Sequence, residues 1–104
     1  MKIENYTPHN INILKNNEIA VYPSLGNARC TCQKEYLYSI DGIEVYKMVY
    51  GDVEGLPKPM DNTIYIVSKI VKEALKDRDD LLIVNEVVKD ENNQILYCKS
   101  LSKM

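Results

Sequence analysis

The two arginines of this chain are the residues that point most directly to recognition chemistry. Eleven lysines supply the ordinary positive charge, whereas Arg29 and Arg78 lie among polar residues and turn formers. A guanidinium group presents a rigid fork of N–H donors that matches a carboxylate or a phosphate, whereas lysine is a point charge. We therefore predict that both arginines bind an anion. The alternative is that each one braces the fold, in the case of Arg78 through its acidic neighbours at 77, 79 and 80.

Ser68 and Tyr65 are further candidates for ligand contacts. The β-branched run at 63–67 predicts a buried strand, and Ser68 directly after it is typical of a helix N-cap. The free backbone N–H groups at a helix start bind anions, although a serine in this position can also act as a cap alone. The chain has eight tyrosines and neither tryptophan nor phenylalanine. Tyrosine must therefore supply every aromatic contact, and we predict that Tyr65 stacks on a ligand ring.

The residues that could support catalysis or hold a metal do not form a complete motif. The single histidine, His9, could act as a base with Asp79 or the following aspartate, although a histidine beside a proline turn is also typical of a structural hydrogen bond. Cys30, Cys32, Cys98 and His9 could be assembled into a zinc site, but strand alternation would equally place the first two cysteines in a core. Glycine-rich phosphate loops and the nucleophile-elbow motif are absent. We predict a binding protein without catalysis, cofactor or metal, in which His9 and Asp79 contact the ligand.

Composition limits the class of partner. The 104 residues fit one domain, 1–104, with 45% hydrophobic and 27% charged residues. A net charge of −2 argues against broad nucleic-acid binding, which needs a basic face. No apolar run approaches the roughly 20 residues of a membrane span, and the first residues lack the apolar core of a signal peptide. We expect a cytoplasmic protein without membrane contact, whose three cysteines need no disulfide.

Hairpins dominate the predicted secondary structure. Strand-forming runs at 11–14 and 19–22 flank a polar turn. Runs at 35–40 and 43–50 flank Asp41-Gly42, a dipeptide that favours a type I′ turn because both residues adopt positive φ. We predict further strands at 28–32 and 63–67, and a closing hairpin whose strands at 86–90 and 95–98 flank a turn at 91–93.

One helix completes the predicted fold. An apolar stripe at helical spacing predicts a helix over 68–77, and the residues at 51–62 predict a long irregular loop. One short helix beside many short strands predicts an α+β domain with a curved or barrel-like, mostly antiparallel sheet.

Five short motifs, in order along nearly the whole chain, carry a family resemblance. They are Asn5-Tyr6-Thr7-Pro8-His9 and the segments at 23–29, 51–57, 63–68 and 78–81. Together they resemble a family of small, mostly uncharacterised proteins of bacteriophages and prophages. The chain departs from the family pattern at Tyr6, where leucine is usual, and at Leu25-Gly26, where glycine usually follows serine directly. Compact phage proteins of this size include inhibitors of bacterial immunity that sequester nucleotide signals, so the resemblance implies an anti-defence role.

Three functions are compatible with these observations. The first is a phage anti-defence protein that sequesters a nucleotide-derived immune signal in the host cytoplasm, with Arg29, Arg78 and Ser68 converging on one polar cleft that binds the anion. A homo-oligomer is compatible with this function. The alternative is a protein–protein inhibitor or host-takeover factor that acts through the tyrosine-rich hairpin at 36–50. The third is a small hydrolase built on His9.

Overall fold

The computed structural model describes all 104 residues as a strongly curved six-stranded sheet, one short helix and a separate two-stranded hairpin. The order of strands in the sheet is β1-β6-β7-β8-β2-β3, and β4 pairs with β5 alone. In chain order the elements are β1 (Lys2–Asn5), β2 (Ile11–Lys15), β3 (Glu18–Tyr22), β4 (Cys32–Ile40), β5 (Ile43–Tyr50), β6 (Thr63–Ile66), α1 (Lys69–Ala74), β7 (Leu81–Lys89) and β8 (Ile95–Ser102).

Asn5 joins the two edges of the sheet and nearly closes it into a barrel. A bridge pairs Asn5 with Ser24, just beyond β3, and the N–H of Leu25 donates to the Asn5 carbonyl at 2.9 Å. The Asn5 side chain is buried, and its Nδ2 donates to the carbonyls of His9 at 2.8 Å and Tyr22 at 2.9 Å. The protein is thus mostly strands with a barrel-like sheet, which confirms the predicted curvature.

The sheet mixes parallel and antiparallel pairs. β1 runs parallel to β6, β6 to β7, and β2 to β8. The pairs β2–β3, β4–β5 and β7–β8 are antiparallel and correspond to the predicted hairpins. A hairpin is marked by a local turn sequence, whereas parallel partners are distant in the chain. The parallel pairs were therefore not predicted. They make up three of the five strand pairs in the six-stranded sheet, so the expectation of a mostly antiparallel sheet is wrong for it.

Two hydrophobic cores lie on opposite faces of β6. Strand alternation directs Tyr65 to one face and Ile66 to the other, so β6 is apolar on both sides. The first core, on the Tyr65 face, consists of Ala28, Tyr65, Val67, Val71 and Leu81. The second core, on the Ile66 face, consists of Ile13, Ile66 and Cys98 and fills the inside of the curved sheet.

Helix α1 is shorter than predicted. It spans Lys69–Ala74 rather than 68–77, because Leu75 leaves the helical region with φ −119° and ψ 54°. Ser68 is confirmed as the N-cap, since its Oγ accepts the N–H of Val71 at 3.3 Å. No helix in the structure has the length and apolar character that crossing a membrane requires.

Three stretches differ from the predicted strands. The strand expected at 28–32 is wrong, because only Arg29 forms a bridge there, with Glu54 of the long loop, and β4 begins at Cys32. β1 was not predicted, and β8 continues to Ser102 through a tail that showed no clear strand signal. β1 forms by pairing with β6, about 60 residues away, which local sequence does not reveal. The end of β8 extends the antiparallel pairing with β7, where Ser102 lies opposite Ile83.

Candidate functional site

The largest cavity of the protein lies where β2 and β8 begin. Its volume is about 820 Å³, and half of its twelve lining residues are hydrophobic. These residues come from β7 and from the starts of β2 and β8 with the segments that lead into them. They are Thr7, His9, Asn10, Ile11, Asn12, Val84, Val87, Asn93, Gln94, Ile95, Leu96 and Cys98.

The floor of this cavity is the inside of the curved sheet. Cys98 belongs to the second core, and Ile11 and Val84 pack against that core. Burial raises the pKa of the Cys98 thiol, so the sulfur stays protonated and behaves as a small apolar group. The floor can therefore contact an apolar surface of a ligand.

The rim of the cavity carries neutral amide side chains. The Nδ2 of Asn12 donates to the Leu96 carbonyl at 3.1 Å and so links β2 to β8. Asn10 Oδ1 accepts a backbone N–H at 3.0 Å. Across the cavity, the exposed side chains of Asn93 and Gln94 make no hydrogen bond within the protein. These two amides are free to pair with a ligand that offers both donors and acceptors.

Asn5 and Thr7 position His9 at the rim. The His9 carbonyl accepts from Asn5 Nδ2 at 2.8 Å and lies 3.0 Å from Thr7 Oγ1. The Oδ1 of Asn5 in turn accepts the Thr7 N–H at 2.9 Å and the Thr7 hydroxyl at 2.7 Å. The Asn-x-Thr-Pro-His motif is thus held as one hydrogen-bonded loop. Asp79 does not line this cavity, so the His9–Asp79 pair of a hydrolase is not assembled there.

Arg29 lies at a different and smaller cavity. This cavity measures about 300 Å³ and is also lined by Cys30, Thr31, Asp52 and Glu54. The Nη2 of Arg29 is 3.6 Å from Oε2 of Glu54, and both side chains are largely exposed. Glu54 pairs with the Arg29 guanidinium, and Asp52 lines the same cavity. The surroundings of Arg29 therefore disfavour a further anion.

Arg78 binds a carboxylate of its own chain. Its Nε donates to Asp80 Oδ1 at 2.9 Å, and its Nη2 donates to Asp80 Oδ2 at 2.7 Å. Its Nη1 donates to the Pro57 carbonyl at 3.1 Å. The hydrogen bonds from Arg78 hold the pKa of the Asp80 carboxyl below its usual value, against the opposing effect of burial. The arrangement matches the bracing role that the acidic neighbours of Arg78 indicated.

Tyr65 is a fully buried core residue. Its ring packs edge-on against Tyr6 with centroids 5.5 Å apart, and the Arg78 guanidinium lies 5.7 Å from the ring centre. The Tyr65 hydroxyl donates to the Lys58 carbonyl at 3.3 Å. Packing on both the ring and the hydroxyl leaves no free face on which a ligand ring could stack.

The predicted polar cleft is not assembled in the structure. Arg29 and His9 line separate cavities, whereas Arg78, Ser68 and Asp79 line none. Ser68 Oγ already accepts a hydrogen bond from the Val71 N–H. Helix α1 has only six residues, so its dipole at the Ser68 end is short.

The amides that line the large cavity were missed by sequence reasoning. Asn10 and Asn12 flank the start of β2, and Asn93 and Gln94 precede β8. The only signal was a cluster of polar residues at the start of two strands. Their approach depends on the parallel pair β2–β8, in which Ile13 lies opposite Cys98.

Cysteine and histidine side chains do not gather around one point. Cys30 packs against the first core, whereas Cys98 lies in the second. The structure contains no group of three or more His, Cys, Asp or Glu side chains that could hold a metal ion.

Comparisons with protein-family models, with curated proteins and with solved structures found no match. The phage-family resemblance of the five motifs therefore stays a prediction.

Proposed function

We propose that the protein binds the nucleobase portion of a small ligand, without catalysis, in the cavity between the starts of β2 and β8. The observation that carries the proposal is the cavity itself. Its volume of about 820 Å³ falls within the range of small-molecule sites, roughly 300–1,000 Å³. Such sites combine an apolar lining with a few polar groups, and mouths of barrel-like sheets are common places for them.

The lining supports a flat, neutral ligand. A nucleobase presents donors and acceptors along its edges and an apolar surface on each face. Asparagine and glutamine amides pair with base edges through one donor and one acceptor, and both groups of Asn93 and Gln94 are unengaged. Val84 and Leu96 would contact the ring face, since both side chains line the cavity.

The same lining implies that phosphates would lie outside the cavity. No lysine or arginine is among its twelve lining residues. Arg78 is paired with Asp80 and Arg29 with Glu54. A phosphorylated ligand would point its phosphates to solvent, and the base would supply most of the affinity. The phosphate contacts expected from the two arginines are therefore not part of this proposal.

The biological identity of the ligand is a finer part of the same proposal. The resemblance to phage proteins supports an anti-defence role, in which the protein sequesters a nucleotide-derived immune signal in the host cytoplasm and leaves it intact. The anti-defence role is supported by the sequence motifs alone, whereas nucleobase binding is supported by the cavity.

NMR titration of ¹⁵N-labelled protein tests base binding. Each common ribonucleoside and its 5′-monophosphate is added in turn. We expect one base to shift the backbone amide signals of Ile11 and Leu96 in both forms. The two dissociation constants should agree within about threefold, because the phosphate meets no cation in the cavity. The bound ligand should be recovered intact after the protein is denatured.

Variants separate this cavity from the arginine sites. Gln94→Ala should weaken binding by about 5- to 150-fold, the value of one bidentate pair at roughly 1–3 kcal/mol, and Val87→Trp should place an indole ring in the cavity and weaken binding as well. Arg29→Gln is the matched control, since Arg29 lines another cavity. The proposal is wrong if no nucleoside shifts signals of the lining. It is also wrong if only phosphorylated forms bind and Arg29→Gln removes that binding.

A further inference from the structure

The β4–β5 hairpin, residues 32–50, projects from the body of the protein and is called the arm below. Its strands pair only with each other. The radius of gyration is 16.2 Å, compared with about 13 Å for a compact chain of this length. At the base of the arm the Tyr50 hydroxyl donates to Glu73 of α1, which raises the pKa of Tyr50 to about 12. The arm is thus tied to the body at one end and surrounded by solvent along its length.

One side of the arm is an apolar face made of five residues. The register places Tyr38 opposite Val45 and Ile40 opposite Ile43, and strand alternation puts Val49 on the same side. Val45 is half-buried, and the other four are exposed, from 40% for Val49 to 65% for Ile43. No other element of the chain covers this face.

The opposite side of the arm is stabilised by its own contacts. Tyr36 and Tyr46 pack edge to face with centroids 5.9 Å apart, and Lys34 lies 4.7 Å from the centre of the Tyr46 ring. The Tyr46 hydroxyl donates to Glu44. The Tyr46 hydroxyl and the Lys34 ammonium group are thus used within the arm, while Tyr36 and Met48 on this side stay exposed at 56% and 47%.

The need for a partner follows from the size of the arm. A two-stranded hairpin with no third strand or helix against it is marginally stable in water. Contiguous exposed apolar side chains on a small protein mark an interaction surface. A second copy of the same chain offers an identical apolar face that could cover this one.

The charges within the face fit self-association. Glu35 and Lys47 lie opposite each other across the strands, and they separate Val49 from the other four apolar residues. In a two-fold pair, residue i of one copy meets residue j of the other, and j meets i. Glu35 can therefore face Lys47 of the partner subunit twice over. The arm has two lysines and three acidic residues, so two copies carry little net charge to repel each other.

We infer that the apolar face binds the same face of a second copy and forms a two-fold dimer. Nine-residue β4 sets a face roughly 30 Å long at about 3.3 Å per residue, and two strands give a width near 10 Å. The two faces together give roughly 600 Å² of surface, about half of the 1,200 Å² from which specific interfaces run. The dimer should therefore be weak, with a dissociation constant of roughly 0.1–1 mM.

Sedimentation velocity over a concentration series tests the dimer. Wild-type protein should shift from monomer to dimer as its concentration rises through that range. Ile43→Lys should leave a monomer at every concentration, because it places a charge in the apolar face. Met48→Lys is the matched control, since Met48 is exposed on the other side of the arm, and this variant should dimerise like wild type. Circular dichroism melts check that both variants fold.

Charge exchange tests the arrangement of the two copies. Glu35→Lys and Lys47→Glu should each weaken dimerisation, because each variant carries two like charges on the face. A mixture of the two variants should dimerise again, since the positive face of one meets the negative face of the other. A wild-type protein that sediments as a monomer throughout overturns the inference and assigns the arm to a foreign protein. Dimerisation that survives Ile43→Lys, or that the mixture does not restore, also overturns it.

Discussion

Arg78 donates two hydrogen bonds to the Asp80 carboxylate, from Nε to Oδ1 at 2.9 Å and from Nη2 to Oδ2 at 2.7 Å. The pair is mostly buried, with 20% of the Arg78 side chain and 13% of the Asp80 side chain exposed. The third contact of the guanidinium, to the Pro57 carbonyl, ties the long loop to the start of β7. The Asp80 carbonyl also accepts the N–H of Tyr65 at 2.9 Å. Arg78 therefore connects the loop, β6 and β7 around the first core.

Arg78→Lys should destabilise the protein. Lysine keeps the charge but cannot hold both carboxylate oxygens and the Pro57 carbonyl together. We expect a loss of about 1–3 kcal/mol in the free energy of unfolding, equivalent to about 4–8 °C in Tm for each kcal/mol. Urea denaturation measures it, with exposed Asp79→Asn as the control that should change little. Wild-type stability in Arg78→Lys would show that the guanidinium is not a brace and is available to a ligand.

The Arg78–Asp80 pair should make stability depend on pH in acid. Because Arg78 lowers the pKa of Asp80 below 3.8, the charged carboxylate is favoured in the folded state. The contribution is fully present well above 3.8, and it is lost as the pH falls through the lower folded-state pKa. Melting curves between about pH 6 and pH 2 should therefore fall less steeply for Asp80→Asn than for wild type. Equal acid slopes in the two proteins would contradict this role of Asp80.

Local sequence predicted the hairpins and the helix cap well, for a physical reason. Asp41 and Gly42 both adopt positive φ, at 50° and 77°, as the type I′ turn requires. The Ser68 cap depends on a bond only three residues away. The parallel pair β1–β6 joins residues about 60 apart in the chain, and the pair β2–β8 joins residues about 85 apart, so no local pattern specifies them.

The candidate site was harder to predict because residue type does not reveal which groups are already engaged. Arg78 has the chemistry to bind a phosphate, but Asp80 occupies its fork in the folded chain. The sequence identified Asn5 only as part of the Asn-x-Thr-Pro-His motif. In the structure its buried side chain makes four hydrogen bonds that shape the cavity rim and join the sheet edges. Whether a polar side chain already has a partner within the protein is decided by tertiary contacts.

Arg29→Lys should change stability by less than about 0.5 kcal/mol. Its bond to Glu54 joins two largely exposed side chains at 3.6 Å, and exposed ion pairs contribute little. The link between the two segments comes instead from the backbone, where each residue donates its N–H to the carbonyl of the other, at 2.9 and 2.8 Å. A thermal melt checks this expectation. A drop of several degrees would show that the side chain, rather than the backbone, holds the loop.

Asn5→Ala should be strongly destabilising. The change leaves the carbonyls of His9 and Tyr22 and the N–H of Thr7 without the partners they have in the folded protein. We expect a loss of about 2–4 kcal/mol, because each abandoned buried group costs about 1–3 kcal/mol and water reaches some of them. Asn12→Ala is the control, since exposed Asn12 makes one bond, to Leu96. Chemical denaturation of both variants tests the difference, and similar losses would contradict the closing role of Asn5.

Gly55→Ala and Gly42→Ala should differ although the two glycines share a backbone conformation. Their φ values are +82° and +77°, so a side chain is strained at either position. A Cβ at Gly55 would lie 2.5 Å from the Asn27 carbonyl oxygen, whereas a Cβ at Gly42 meets nothing within 4 Å. The backbone at Asn27 cannot swing aside as a flexible side chain would, so the loop must separate from the segment that carries Arg29.

We expect Gly42→Ala to cost about 1 kcal/mol, the conformational strain alone, and Gly55→Ala about 3 kcal/mol or more. Because Gly42 lies at the tip of the arm, its strain should also spread less to the two cores. Urea denaturation of both variants measures the difference, and amide hydrogen exchange at Arg29 and Glu54 should rise only in Gly55→Ala. Equal losses in the two variants would mean that the loop at 51–62 adapts without cost, and that its contact with Asn27 does not hold it over the first core.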